Sequence, residues 1–125
     1  MYRRCLLFAF LFLLFSCASG PVNVPPDMPP SKIIQKAQEA ADVNKYNMAL
    51  EYYKVLLERY GDEDEYLAVA EYEIAFIHYK QKNYAVARKG FETLLTRYRQ
   101  ERNALPPQFK TLSEKMLNRL KELGH

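Results

Sequence analysis

AVAEYEIAFIHYKQKNYAVARKGFETLLTRY, residues 68–98, is the stretch that decides the fold. Its small and apolar side chains recur three to four apart at Ala70, Ile74 and Ala75, and again from Tyr84 through Ala87, Phe91 and Leu95. Lys82-Asn83 lies between the two runs, so the stretch reads as helix, tight turn, helix. The same signature stands 38 residues earlier: Tyr46, Ala49, Tyr53, Leu56, Leu57 and Tyr60 recur as Tyr84, Ala87, Phe91, Leu94, Leu95 and Tyr98, and Ala37 recurs as Ala75. Seven matches at one offset make two copies of one helical hairpin. Ala75 and Ala87 let the two helices of a hairpin approach closely, while Tyr84 and Phe91 fill the space beside them.

Working outward, the spacing predicts a first helix from Ser31, as N-cap, to about Asn44, and a second from Tyr46 to Tyr60 with Gly61 as its C′ residue. The acidic run Asp62 to Glu65 suits the positive start of a third helix that ends near Gln81, and a fourth covers Tyr84 to about Arg99. Pro106-Pro107 opens a fifth, ending at Gly124, whose apolar face is Phe109, Leu112, Met116, Leu117 and Leu120. No alternating β-type run appears after Pro30.

Residues 68–98 follow the consensus of the tetratricopeptide repeat without a gap, and the chain resembles that family. Departures are Lys36, where an aliphatic residue is usual, Glu71, where a large aromatic is common, and four residues of extra loop between units. The resemblance implies an all-α fold with two tetratricopeptide-like units, about 31–60 and 66–99, and a capping helix at about 107–123. It also implies a concave groove lined by the first helix of each unit. By position that groove takes Val69, Tyr72, Phe76, Tyr79 and Lys80 from the second unit and Ile34, Gln38 and Ala41 from the first. Tyr72, Phe76 and Tyr79 form an aromatic stripe suited to a partner, of which the fifth helix is expected to cover a part. Two and a half units fall short of the three such arrays usually need, so marginal stability or self-association is expected.

The beginning of the chain reads differently. Tyr2-Arg3-Arg4 precedes an apolar run of eleven residues from Cys5 to Phe15, too short to span a bilayer and suited to an export signal over residues 1–16. Leu14-Phe15-Ser16-Cys17 resembles the lipobox of bacterial lipoproteins, with Phe15 bulkier than is usual at its position. That resemblance implies lipidation of Cys17 and anchoring by acyl chains, each contributing about 0.8 kcal/mol per buried CH₂. Residues 18–30, with five prolines in ASGPVNVPPDMPP, are expected to be a tether rather than core. Extended as polyproline, thirteen residues reach roughly 40 Å.

The function classes narrow accordingly. Without residues 1–16, 16 basic side chains face 15 acidic ones, which leaves no basic footprint for nucleic acid. Cys5 belongs to the signal and Cys17 to the lipid, so no thiol chemistry is expected. The chain shows no nucleophile elbow, phosphate loop or metal-ligand spacing, so no enzyme, cofactor or metal is expected. His78 falls at a repeat position with a structural role, and the run from Asp62 to Glu65 fits no calcium loop. The lipobox, tether, long inter-unit join and repeated AxxxYxxLLxxY signature together resemble the outer-membrane assembly lipoprotein family that includes the helical-repeat lipoprotein of the BAM complex. A membrane-anchored scaffold that binds an envelope protein or peptide is what this implies. Ala18-Ser19, with no acidic residue after the cysteine, implies an outer membrane and a domain facing the periplasm. The alternative from another class is a lipoprotein that holds a small hydrophobic or glycan ligand in a closed cavity, serving transport or cell-wall metabolism.

Overall fold

A computed structural model describes residues 21–100 and 105–125. The expected export signal over residues 1–16, and Cys17, lie outside the described residues. Five helices follow one another: α1 (Pro30–Asp42), α2 (Tyr46–Tyr60), α3 (Asp64–Lys80), α4 (Tyr84–Gln100) and α5 (Pro107–Glu122). α1 packs on α2 and α3 on α4 as hairpins, α2 joins the hairpins through α3, and α5 closes the far side against α4 and α3. The architecture is all-α, two tetratricopeptide-like hairpins and a capping helix. Among the described residues no helix is long and apolar enough to cross a membrane.

The 38-residue repeat extends to individual hydrogen bonds. Asn44 (φ 59°) and Lys82 (φ 63°) hold equivalent left-handed positions in the two hairpin turns. Lys45 N–H donates to the Ala40 carbonyl at 2.9 Å, and Asn83 N–H to that of His78 at 2.8 Å. Each turn thus satisfies a carbonyl of the preceding helix end by the same Schellman arrangement. Ala37 and Ala75, Ala49 and Ala87, Tyr53 and Phe91, and Leu56 and Leu94 are all buried as equivalent pairs. α3 is the shared element, because Ala70 and Ile77 join the core of the first hairpin while Ala68, Tyr72 and Ala75 join that of the second.

Several boundaries differ from expectation for local reasons. α1 begins at Pro30 rather than after a Ser31 cap, since the Pro29 carbonyl accepts from the N–H groups of Lys32 and Ile33, and Pro30 at the first helical position has no N–H to satisfy. Gly61 has φ −71°, not a left-handed C′ conformation; glycine fits there because a Cβ would stand 2.4 Å from the Leu57 carbonyl oxygen. On α5 Leu120 is buried as expected, but the other buried position is Ser113, one residue past Leu112, which is exposed.

The largest correction concerns residues 21–30, expected as a free tether. Val24 is buried in the core of the first hairpin, with Val22 and Met28 packed against it. Arg59 donates to the carbonyls of Val24 and Pro25, both at 2.7 Å, and the Tyr60 hydroxyl donates to that of Met28 at 3.3 Å. Proline carries no N–H, but its carbonyls remain acceptors, and the end of α2 supplies the donors. One repeat later the same two positions serve the second hairpin. Arg97 takes Glu71 in a bidentate pair (Nε to the carboxylate at 2.8 and 3.0 Å), and the Tyr98 hydroxyl donates to the Pro106 carbonyl. Glu71, at the position where the repeat consensus commonly has an aromatic, is thus a charge partner reaching across to α4.

Candidate functional site

The first helices of the hairpins, α1 and α3, do not pack closely on each other, and two hollows open between them. One, of about 430 Å³, is lined by Gln38, Ala41 and Asp42 of α1, Glu73, Phe76 and Lys80 of α3, and Tyr53 from below on α2. The other, of about 470 Å³, lies toward the opposite end of α3, between Ile34, Tyr66 and Val69 and the segment Leu105 to Phe109 that leads into α5. The expected groove residues therefore separate. Gln38, Ala41, Phe76 and Lys80 belong to the first hollow, and Ile34 and Val69 to the second.

Tyr72 does not line an open groove. It is only 8% exposed, with ring centroids 5.6 Å from Phe91 and 5.5 Å from Phe109. Phe109 arrives with α5, so the capping helix covers this end of the stripe. The remaining aromatics continue as a ladder, from Tyr72 to Phe76 at 6.1 Å and on to Tyr79 at 6.0 Å. Tyr79 leans on Tyr84 at 5.8 Å, and Tyr84 meets His125 at 4.4 Å. Phe76 and Tyr79 are half-buried. Lys80 is exposed with its ammonium 5.8 Å from the Phe76 ring centre, within range of a cation–π attraction.

Two polar groups in the first hollow escaped the sequence reading. Glu73 makes no hydrogen bond or ion pair among the described residues, and burial pushes its carboxyl above the ordinary carboxylate range. The Tyr53 hydroxyl is buried without a hydrogen-bond partner among the described residues. Desolvation, and after it the Glu73 and Asp42 carboxylates, raises that hydroxyl well above the ordinary phenol value. A signal for Glu73 was present: with Glu71 it is one of two charges in the otherwise uncharged stretch 67–77, and its neighbours four residues away are Val69 and Ile77, neither of which can pair with it. His78 faces a smaller hollow on the opposite side, of about 310 Å³, with Leu57, Ile74 and Val86. Its Nδ1 lies 3.5 Å from the Asn83 amide nitrogen, across the hairpin turn.

No family model matches this chain, and no solved structure matches it. An uncharacterized protein of Treponema pallidum (strain Nichols) is 32% identical over 114 residues, which cover 89% of this chain. The matched region is 46% of that relative, so the chain spans about half the length of the curated protein to which it is similar.

Proposed function

We propose that this chain is a lipoprotein scaffold, anchored through Cys17, whose repeat domain holds a peptide or protein partner in the cell envelope, with outer-membrane protein assembly as the process its resemblances imply. The observation that supports this best is the gap between α1 and α3, which leaves Ile34, Val69 and Phe76 half-exposed along two hollows. Half-exposed apolar side chains flanked by polar ones are the usual anchors of an extended partner. Anchoring is tested by radiolabelled palmitate incorporation and membrane fractionation, which Cys17→Ala should abolish. Binding is tested by pull-down from solubilised membranes with Ile34→Ser/Val69→Ser/Phe76→Ala, which spares the buried Tyr72. Loss of the co-purifying protein supports the groove; an unchanged set of partners removes it.

A further inference from the structure

The hollow between α1 and α3 combines features that a purely structural cleft rarely keeps together. A buried polar group without a hydrogen bond is costly, and folded proteins avoid it unless something fills the vacancy. Here one such group, the Tyr53 hydroxyl, stands beside a half-buried carboxylate, Glu73, that has no hydrogen bond or ion pair among the described residues. The Tyr53 hydroxyl, on a side chain 1% exposed, ends in the hollow without a partner. The Glu73 carboxylate lines the same space. Asp42 adds a second carboxylate from α1, and the amide of Gln38 stands on the same wall.

The chemistry of the lining selects the occupant. The acidic pair outnumbers the single cation, Lys80, whose ammonium forms no ion pair with either carboxylate and sits over Phe76 instead. Tyr46 closes one side, its hydroxyl donating to the Asn44 side-chain oxygen at 2.7 Å and so leaving that acceptor occupied. Glu73 and Tyr53 share no hydrogen bond. An occupant that donates both to a carboxylate and to a separate phenolic oxygen, beside an aromatic face, fits this lining. An anion is repelled, and a neutral apolar group leaves both polar atoms unsatisfied.

We propose that this hollow binds a primary ammonium group, whose three N–H donors on a single atom serve Glu73 and the Tyr53 oxygen together while its alkyl chain lies along Phe76. The ammonium is either the side chain of a lysine in a bound segment or a free small amine. The first source rests on the groove reading above; the second does not.

The test uses the full chain in detergent micelles, with the Ile77 methyl and Phe76 ring signals followed by NMR. Three probes are titrated: methylammonium, a capped pentapeptide with one central lysine, and the same peptide with norleucine in its place. Saturable shifts from the lysine peptide or methylammonium, and none from the norleucine peptide, are expected. Glu73→Gln should weaken that binding roughly tenfold or more, the loss of a charge-assisted hydrogen bond, and Tyr53→Phe severalfold. Circular dichroism checks that both variants are folded. A lysine peptide that binds more tightly than methylammonium assigns the ammonium to a partner segment, and equal binding assigns it to a free amine. Norleucine binding as tightly as lysine overturns the ammonium site and leaves the groove standing. Absence of saturation by either cation, or undiminished binding to folded Glu73→Gln, also overturns it. Methylammonium binding alongside a pull-down unaffected by the groove triple variant counts against the groove and not against this site.

Discussion

Gly90 sits in the middle of α4, where helix propensity alone favours alanine by about 1 kcal/mol. The packing of the second hairpin opposes that gain. A Cβ on residue 90 would stand 2.8 Å from the Ala75 Cβ of α3. Ordinary carbon contacts lie at about 3.5–4.0 Å, so the two helices would have to separate by about 1 Å. Ala75 is 1% exposed and lies in the core with Tyr72, Ala87 and Phe91, so it has no room to withdraw. Overpacking of this kind costs about 1–3 kcal/mol, which exceeds the propensity gain and leaves a net loss of about 1 kcal/mol. For a domain of this size that lowers the melting temperature by roughly 5 °C. Thermal unfolding of Gly90→Ala followed by circular dichroism measures it. Adding Ala75→Gly removes the opposing methyl, and a double-mutant cycle should then show a coupling of about 1 kcal/mol between the positions. A Gly90→Ala protein that melts at or above the wild-type temperature would refute the close approach.

Glu73 makes stability depend on pH in a direction opposite to that of a paired carboxylate. Its folded value lies above that of the unfolded chain, about 4.3 for glutamate, so wild-type stability is fully present below that value and falls as pH rises through the folded value. Glu73→Gln should therefore be more stable than wild type at pH 7 and indistinguishable near pH 4 in paired denaturant titrations; the reverse order would show the carboxylate to be stabilised by a partner. Arg59→Ala removes both donors to the Val24 and Pro25 carbonyls, and hydrogen exchange at the Met28 amide should quicken about tenfold. Unchanged exchange there would mean that Val24 alone holds the segment.

The hairpins were legible because the residues that define them are packed by local periodicity. A pattern such as Tyr46, Ala49, Tyr53 and Leu56 needs only its own helix to be recognised, and its copy 38 residues later marks the partner. What spacing could not carry was the relation between distant segments. Tyr72 shares a helical face with Phe76, yet Phe109 of α5 decides that the first is covered and the second half-open. Prolines signalled a segment unable to be helical, but Val24 within it has a place in the core only because α2 ends on an arginine and a tyrosine that face its carbonyls. Glu73 and Tyr53 stand 20 residues apart and meet only through the pairing of α2 with α3. Alternation and repeat say nothing of a polar atom left without a partner.

The docked segment at residues 22–28 sets a length as well as a contact. Had all thirteen residues from Ala18 to Pro30 been free, the domain could have stood some 40 Å from its lipid. With Val22 already seated, five residue steps separate it from Cys17, a reach of at most about 18 Å however they run. A lipid at Cys17, as proposed, would then act as a short mooring and not as a leash. The domain would ride close above the headgroups with the Arg59 end of α2 toward them, which places the hollow at Ile34 nearer the membrane and the hollow at Tyr46, by the other end of α2, farther from it.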